Sequence, residues 1–270
     1  MAIANRFGLL GFDNLAAAGT FSATFTPATG YPLTNLQNNR IFSTCRTAVG
    51  TKTGVQFDID LGANKTIDSF GMLWNPSDTA TWRVRFSTVS NFATTTADSG
   101  VVNAFTLLPS TGTAIRYKQP WGRSTFVGFS SSSARYVRVN IEDSANVDNQ
   151  IILSIVRVGL LWTPAIAQDL TTKPLADQIV GEPGLQKSLR GHSVSWKQLT
   201  RAERAAAAEI LRHCGTTTRF FVVPQPNTRD THADELFWGV IESQLEIDLF
   251  VKKASAEYWA GRMNFREVDE

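Results

Sequence analysis

Residues 55–62 read Val-Gln-Phe-Asp-Ile-Asp-Leu-Gly, and four more stretches of the same character follow before residue 160. They are Ile-Asp-Ser-Phe-Gly-Met-Leu-Trp at 67–74, Trp-Arg-Val-Arg-Phe-Ser at 82–87, Ala-Arg-Tyr-Val-Arg-Val-Asn-Ile at 134–141 and Ile-Leu-Ser-Ile-Val-Arg-Val-Gly at 152–159. In the clearest of them apolar and polar residues alternate, which places one set on a buried sheet face and the other in water. Turn-forming residues separate the stretches, so we expect a sandwich or jelly roll of many strands.

The composition fits a folded protein and excludes some classes of function. The 270 residues are 43% apolar and 19% charged, which is enough to bury the core of one large or two ordinary domains. Lys and Arg number 26 against 24 Asp and Glu, so the net charge of +2 indicates no concentrated basic surface for nucleic acid. No stretch approaches the ~20 apolar residues of a membrane-spanning helix. We therefore expect neither nucleic-acid binding nor membrane insertion.

The cysteines and the N-terminus indicate where the chain folds. Cys45 and Cys214 fit no metal spacing and no disulfide framework, so both are interpreted as buried structural thiols of a protein made in a reducing compartment. An apolar run at 7–12 is interrupted by Asp13 before it reaches the length of a secretory signal. The expectation is a protein that folds in a cytosol.

A proline- and glycine-containing segment divides the chain. Residues 166–184 are interpreted as a connector between a first domain at 1–165 and a second domain at 185–270. Strand patterns in the second domain are expected at 187–196, 219–224, 237–241, 243–252 and 258–265. With the helix described next, these strands predict an α+β domain.

One helix is expected in the second domain, over residues 200–214. Thr200 and Glu203 have the spacing of a capping box, in which each side chain accepts a hydrogen bond from an amide of the first turn. Gly215 suits the C-terminal cap because a helix commonly ends on a glycine with positive φ. The face expected to dock on a sheet carries a thin apolar stripe of Ala202, Ala206 and Ile210.

In their order and wording, the five stretches of the first domain resemble the discoidin or coagulation-factor-5/8 C-type domain. The resemblance covers roughly residues 30–160 and implies a galactose-binding-like β-jelly roll. Domains of this family are recognition modules that bind through loops at one end of the sandwich. The resemblance therefore implies a binding function and no catalysis in this part of the chain.

Candidate ligand-binding residues lie in the loops expected at one end of the jelly roll. Sugars are commonly held by aromatic rings together with planar polar side chains. Core or inter-subunit packing is the competing interpretation for both tryptophans of the set, and for Trp74 it is the favoured one. The set is Asn38, Arg40, Arg46, Trp74, Trp121 and Arg123.

The second domain resembles minor tail and distal-tail proteins of long-tailed bacteriophages. The helix opening Trp-Lys-Gln-Leu-Thr-Arg-Ala-Glu at 196–203 carries the resemblance, followed by stretches at 219–224, 237–240 and 264–267. It implies a small split β-barrel with one flanking helix, which assembles into a ring around the tail axis. Both resemblances in one chain are what we expect of a tail-tip or baseplate protein in a virion.

The residues that commonly carry catalysis form no recognisable site. His192, His213 and His232 stand in no metal-binding spacing, and a structural role is expected for each of them. Asp58 and Asp60 point to the same face of a strand, but they alternate with core residues. A solvated outer face is therefore the better interpretation than a pair of glycosidase carboxylates.

An acidic group follows the fourth strand stretch. Glu142, Asp143 and Asp148 offer the oxygen ligands that calcium prefers, yet they lack EF-hand spacing. An exposed acidic loop is the favoured interpretation. We expect no cofactor, no metal and no enzymatic activity.

Three functions remain open on these grounds. The first is a structural protein of a phage tail tip or baseplate that forms a homo-oligomeric ring, contacts other tail proteins and displays a carbohydrate-binding-type domain. The second is a receptor-recognition protein that binds a host-surface glycan and forms no ring. The third and weakest is a hydrolase of surface polysaccharide.

Overall fold

The structure is a computed structural model of the 270-residue chain. It describes residues 8–10, 13–38, 40–104, 123–163, 168–171, 178–180, 186–188, 191–223, 237–242, 246–253 and 256–267. The fold is mostly β, as the sequence predicted, and one α-helix occurs within these ranges. That helix is too short to cross a bilayer.

Strands are numbered in chain order, and each described strand of five or more residues overlaps a stretch expected from the sequence. Those of the first part are β1 (Gly8–Leu10), β2 (Thr20–Ala23), β3 (Cys45–Arg46), β4 (Val55–Trp74), β5 (Thr81–Ser87), β6 (Ala97–Asp98), β7 (Val102–Asn103), β8 (Arg123–Glu142) and β9 (Ile152–Gly159). Those of the second part are β10 (Leu161–Trp162), β11 (Gln168–Thr171), β12 (Gln178–Val180), β13 (Gln186–Ser188), β14 (Gly191–Leu199), β15 (Phe220–Val223), β16 (Phe237–Ile241), β17 (Glu246–Lys253) and β18 (Ala256–Glu267). The helix α1 is Arg201–Cys214, and two short 3₁₀ turns lie at Leu15–Ala18 and Leu33–Gln37.

The described chain forms two compact units. The jelly-roll unit spans Asp13–Leu161. The C-terminal unit contains the described residues from Trp162 to Glu267 and also strand β1, which pairs antiparallel with β15. The expected division at residue 165 therefore misses the N-terminal strand. Its partner lies more than 200 residues away, and local patterning carries no information about such a pairing.

Two unusually long strands build the jelly roll. Strands β4 and β8 have 20 residues each and pair antiparallel from Val55↔Ile141 to Trp74↔Arg123. Strands β2 and β5 flank their first half, and β6 and β7 pair with β5, which forms sheet I. Strand β9 pairs with the other half of β4 and carries β3 on its outer edge, which forms sheet II. The same two strands therefore supply the middle of both sheets.

The bend that joins the sheets is visible in the pairing. The β4–β8 register shifts between Asp60 and Lys65, and again between Ile67 and Ser69. Gly62 has a φ of +78°, which a glycine adopts at little cost, and its amide donates to Oδ1 of Asp60 at 2.8 Å. The extra residues of such bulges increase the local bend. One half of each strand therefore belongs to one sheet and the other half to the other sheet.

The core of the jelly-roll unit lies between sheets I and II. Phe70 of sheet II and Trp82 of sheet I meet with ring centroids 6.0 Å apart, so the two sheets face each other. Burial alternates along β4 from Val55 to Leu61 and along β5, as the period-two pattern predicted, whereas β4 is buried throughout from Ser69 to Trp74. Large members of the core include Phe57, Ile59, Phe70, Met72, Trp74, Trp82, Phe86, Val137, Val139 and Val156.

The C-terminal unit is a sheet with one helix. Its pairing order is β10-β1-β15-β16-β18-β14-β11, and β17 also pairs with β18. One edge of β18 pairs with β16 at Phe265 to Glu267 and with β17 at Ala256 to Arg262. The sheet therefore divides along this strand, which agrees with the α+β class expected from the sequence.

Helix α1 begins and ends as expected, but its buried face differs from the prediction. Thr200 and Glu203 form the capping box, and the Gly215 amide donates to the Leu211 carbonyl at 2.7 Å with a φ of +54°. The predicted stripe is wrong at Ala202, which is exposed. The buried residues are Ala207, Ile210 and Cys214, because the face that meets β14 and β18 is rotated from the one expected.

The predicted connector contains strands. Strand β11 pairs with β14, and β12 pairs with β13 in a separate two-stranded sheet. The other residues of the 166–184 stretch lie outside the described ranges. Because these short strands have little apolar alternation, only their partners reveal them.

Both cysteines are free and buried, and this gives the first prediction. Burial raises the pKa of the Cys45 thiol to about 12 and that of Cys214 to about 11, so neither forms the reactive thiolate near neutral pH. We expect no reaction of the native protein with Ellman's reagent at about pH 8, and release of two equivalents in guanidinium chloride. Rapid labelling of the native protein at either cysteine would contradict this packing.

Candidate functional site

The ends of the sheet II strands bring distant parts of the chain together. Arg46 of β3 lies opposite Ile152 of β9, Trp74 of β4 pairs with Leu153 of the same strand, and Arg123 of β8 lies opposite Trp74. Three of the six predicted ligand-binding positions, Arg46, Trp74 and Arg123, therefore lie side by side at one end of the sheet. We call this end of the jelly roll, with its connecting loops, the loop end.

The loops of this end cross between the two sheets. Residues 47–54 lead from β3 to β4, 75–80 from β4 to β5, and 143–151 from β8 to β9. Trp121, another predicted contact, lies outside the described residues, in the segment that precedes Arg123. The bend at Gly62 lies at the opposite end of the strands.

A buried carboxylate holds two of these loops together. Asp143 is 1% exposed, and its oxygens accept hydrogen bonds from the backbone amide of Ser77 at 2.9 Å, from the Ser77 hydroxyl, and from Nδ2 of Asn146 at 2.9 Å. Asn146 also donates to the Asn75 carbonyl at 2.8 Å. Such charge-assisted bonds are stronger than neutral ones, so loops 75–80 and 143–151 form one rigid body.

Asn75 continues this network. Its Nδ2 donates to Oδ2 of Asp148 at 2.7 Å and to the Gln150 carbonyl at 3.2 Å, and its Oδ1 accepts from the Ile152 amide at 2.7 Å. The third loop joins through the Gly54 amide, which donates to Oε2 of Glu142 at 3.0 Å. The network therefore has a buried part at Asp143 and Asn146 and an exposed part at Glu142 and Asp148, and it joins all three loops.

The acidic loop is exposed at Glu142 and Asp148, as the sequence favoured, and departs from that expectation only at Asp143. Asp143 is buried, and Glu142 and Asp148 each accept from a neighbouring loop. No cluster of three or more metal-binding side chains occurs among the described residues. Sequence patterning cannot show that a carboxylate lies between two loops, because the loop that donates to it is more than 60 residues away.

Arg46 is positioned by contacts on both sides. Its guanidinium carbon lies 4.0 Å from the centroid of the Tyr31 ring, and its Nε donates to the Thr44 hydroxyl at 3.2 Å. Nδ2 of Asn35 donates to the Thr44 carbonyl at 2.8 Å and holds the preceding turn. Stacking on the aromatic ring fixes the plane of the guanidinium. The orientation of its remaining N–H groups is therefore set by the surrounding structure.

The remaining predicted residues lie in the turn before β3. Oδ1 of Asn38 accepts from the Arg40 amide at 2.9 Å, so this side chain forms the turn itself. Arg40 is exposed, and Phe42 beside it is 56% exposed. Arg40 is accessible to a ligand, whereas Asn38 is occupied in part by its own turn.

Trp74 is a core residue and not a surface contact. It is fully buried, and its Nε1 donates to the Thr125 hydroxyl at 3.1 Å, which in turn donates to the Met72 carbonyl at 3.2 Å. This is the packing interpretation that the sequence favoured. Trp74 is therefore removed from the ligand-binding set, because its ring contributes nothing to the accessible surface of the loop end.

Three residues of the loop end and its adjoining turn lie outside the set predicted from the sequence. Tyr31 stacks on Arg46, and Val49 and Val147 are 75% and 91% exposed. The two valines belong to loops that meet where the Gly50 amide donates to the Asn149 carbonyl at 2.7 Å. In the sequence these valines stand within polar loops, which could have indicated a surface role. A single exposed apolar residue is common, however, and indicates a binding surface only when a second one lies beside it.

Asp58 and Asp60 lie on the outer face of sheet I, as predicted. Arg138 donates to both oxygens of Asp58 at 2.8 and 2.7 Å, and Arg135 to both oxygens of Asp60 at 2.8 and 2.9 Å. The hydrogen bonds from Arg135 hold the pKa of Asp60 below its usual value. The Asp60 carboxylate therefore lacks the raised pKa that a general acid needs near neutral pH.

Two of the three histidines lie on described elements. His192 lies in β14 and His213 in the last turn of α1, while His232 lies outside the described residues. The expectation that the protein is not an enzyme remains a prediction.

No protein-family model and no curated protein matches the sequence. Solved structures with a similar backbone include the chitosan-binding module 1 derived from a chitosanase/glucanase of Paenibacillus sp. IK-5, which is 19% identical with a TM-score of 0.40 over 54% of this chain and 97% of that one. CBM32-1 from a family 31 glycoside hydrolase of Clostridium perfringens is 10% identical, with a TM-score of 0.40 over 55% of this chain and 98% of that one. The CBM32 of AlyQ, in complex with 4,5-unsaturated mannuronic acid, is 17% identical, with a TM-score of 0.36 over 52% of this chain and 92% of that one. These TM-scores lie below 0.5, so the function proposed below depends on the residues themselves.

The buried role of Trp74 gives the second prediction. Trp74→Phe removes the donor to Thr125 and part of the core volume, so we expect the free energy of unfolding to fall by about 1–3 kcal/mol. Thr125→Val leaves the Trp74 Nε1 unpaired and has a comparable cost, while the double variant recovers part of the sum because both polar partners are gone. Urea unfolding of the four proteins measures this. A Trp74→Phe protein of unchanged stability but weakened ligand binding would contradict the assignment.

Proposed function

We propose that the jelly-roll unit binds carbohydrate at its loop end. The observation that carries this proposal is the strand pairing that places Arg46 and Arg123 at the same end of sheet II. The buried network of Asp143 and Asn75 holds the loops there in one position, which lowers the entropic cost of binding. The discoidin-type sequence resemblance supports the same end of the sandwich as the binding surface.

The accessible groups suit a sugar. Planar guanidinium groups donate to pairs of hydroxyl oxygens, and the Tyr31 ring and the Thr44 hydroxyl hold the plane of Arg46. Val49 and Val147 supply exposed apolar surface on two touching loops, which suits the C–H face of a pyranose ring. Arg40 adds an exposed cation at the adjoining turn.

A glycan array with matched arginine variants tests this proposal and is the third prediction. We expect Arg46→Gln and Arg123→Gln to lower binding of the preferred glycan about tenfold each, because each removes charge-assisted donors from the proposed site. Arg212→Gln makes the same charge change on helix α1 and serves as the control. Equal binding by all four proteins, or absence of binding to any glycan, would contradict the proposal.

We further propose that the chain is a structural protein of a bacteriophage tail tip or baseplate, made in the bacterial cytoplasm and present in the virion. In this role the C-terminal unit joins copies into a ring and contacts other tail proteins, and the jelly-roll unit is displayed toward a host glycan. The support is the tail-protein resemblance of residues 185–270 together with the described order of β14, α1 and the antiparallel strands β15 to β18. A head-to-tail interface forms a closed ring when its rotation permits.

The oligomeric state of the full chain is the fourth prediction. We expect native mass spectrometry and negative-stain images of the purified protein to show closed rings, since a heterologous interface that closes leaves no free edge. A protein that remains monomeric at high concentration and is absent from virions contradicts the structural role. If such a monomer still binds glycan, the receptor-recognition function without a ring is the correct one.

A further inference from the structure

The outer face of sheet I carries an ordered array of charged and amide side chains. Cross-strand neighbours form two rows, in which Asp98, Arg85, Arg138 and Asp58 lie in one and Arg83, Asn140 and Gln56 in the other. These side chains are half-buried, apart from the exposed Asp98, and they hydrogen-bond to one another. We call this surface the arginine face. It belongs to the strands and is distinct from the loop end.

Two arginines of this face, and Arg135 on the same strand as Arg138, are paired with carboxylates. Arg83 pairs with Asp98 through Nε at 2.9 Å and through Nη2. Bidentate pairs also join Arg138 to Asp58 and Arg135 to Asp60, with every N···O distance between 2.7 and 2.9 Å. The hydrogen bonds from Arg83 hold the pKa of Asp98 below its usual value, and those from Arg135 do the same for Asp60. Three acids therefore balance three of the four arginines.

Arg85 is the fourth. Its Nη2 donates to Oδ1 of Asn140 at 3.0 Å, and it forms no salt bridge with a carboxylate among the described residues. It lies directly opposite Arg138 on the neighbouring strand, and Arg83 follows it along its own strand face. Burial and the charges of Arg83 and Arg138 lower the pKa of Arg85, and the weaker influence of Asp98, which lies opposite on β6, and of Asp58 does not reverse this. Like charges directly opposite each other destabilise a sheet. A bound anion would therefore relieve the repulsion between Arg85 and Arg138.

An aromatic ring borders the same position. Phe92, in the loop from β5 to β6, is 7% exposed and lies with its ring centroid 4.1 Å from the guanidinium carbon of Arg138 and 5.9 Å from that of Arg85. Its φ of +55° is rare for a bulky side chain. The loop holds it there through the Phe92 amide, which donates to Val89 at 3.2 Å, and through the Ser87 hydroxyl, which bonds to Val89 and Thr94. Such backbone strain is commonly found at binding sites.

The geometry points to a second binding site, in which Arg85 receives a carboxylate of an acidic sugar chain lying on the arginine face beside Phe92. Arg85 has no ion pair within the described part of the chain, so its guanidinium favours an anion, and its planar fork matches a carboxylate. Asn140 and Gln56, already aligned by their own hydrogen bond at 3.1 Å, offer amide groups to neighbouring hydroxyls. The flat, rigid strand face suits an extended chain more than a compact ligand. This site does not depend on the loop end.

A pair of probes that differ only in charge tests the site. Oligogalacturonate carries a carboxylate on each residue, and its methyl ester has the same length and hydroxyl pattern without the charge. Titration calorimetry on the full chain should show binding of the acid form and at least tenfold weaker binding of the ester. Arg85→Gln should lower affinity for the acid form about tenfold, because it removes the charge-assisted donors. Arg212→Gln, with the same charge change on α1, should bind as the wild type does.

Thermal unfolding without ligand separates loss of the site from loss of the fold. Arg85→Gln removes the charge opposite Arg138, so its melting temperature should equal or exceed that of the wild type. Oligogalacturonate should then raise the melting temperature of the wild type and leave that of Arg85→Gln unchanged. Ester binding as tight as acid binding, unchanged acid binding by Arg85→Gln, or an equal stabilisation by sodium sulfate would each overturn the site. A loop end that binds no glycan leaves these outcomes unaffected.

Discussion

The continuous pairing of β4 with β8 is the constraint on which the jelly-roll unit depends. Each strand passes through both sheets, and the register shifts near Gly62 turn the pair from one sheet into the other. The apolar residues of both halves then face the same core, where Phe70 meets Trp82. Because the strands leave from and return to the same end, three described loops must cross there between the sheets.

Both proposed binding surfaces follow from this arrangement. The loop end exists because residues 47–54, 75–80 and 143–151 all connect the sheets at one side, and Asp143 binds two of them together at the cost of burying a carboxylate. The three hydrogen bonds it accepts offset that cost. The arginine face exists because none of the described strands of this unit packs on the outer side of sheet I, so its outward residues pair with one another.

Local patterning predicted what depends on neighbours along the chain. The alternation in β4, β5 and β8 identified their buried faces, and the spacing of Thr200, Glu203 and Gly215 identified both ends of α1. It could not predict the partner of β1 or the burial of Asp143, because each depends on residues far away in sequence. The buried stripe of α1 differed from the expected one for a related reason. Several faces of an alanine-rich helix are equally apolar, and only the sheet that it meets selects one.

The candidate binding sites, too, could be predicted only in the part that depends on local sequence. An arginine in an expected loop indicated a candidate ligand-binding residue. The strand register then determined that Arg46 and Arg123 lie at one end of sheet II and that Trp74 lies in the core. The ion pairs of Asp58 and Asp60 with Arg138 and Arg135 join strands whose register no single stretch of sequence specifies. A period-two pattern shows that a charged side chain faces outward, but it does not show that one of four arginines lacks a carboxylate.

The most direct measurement of the central claim is an amide chemical-shift map of the full chain during titration with the glycan that it prefers. If the pairing of β4 with β8 creates the recognition surface, the perturbed amides will fall at 47–54, 75–80 and 143–151 and at the strand ends that carry Arg46 and Arg123. Perturbations confined to the C-terminal unit, or to the bend around Gly62, would contradict the account.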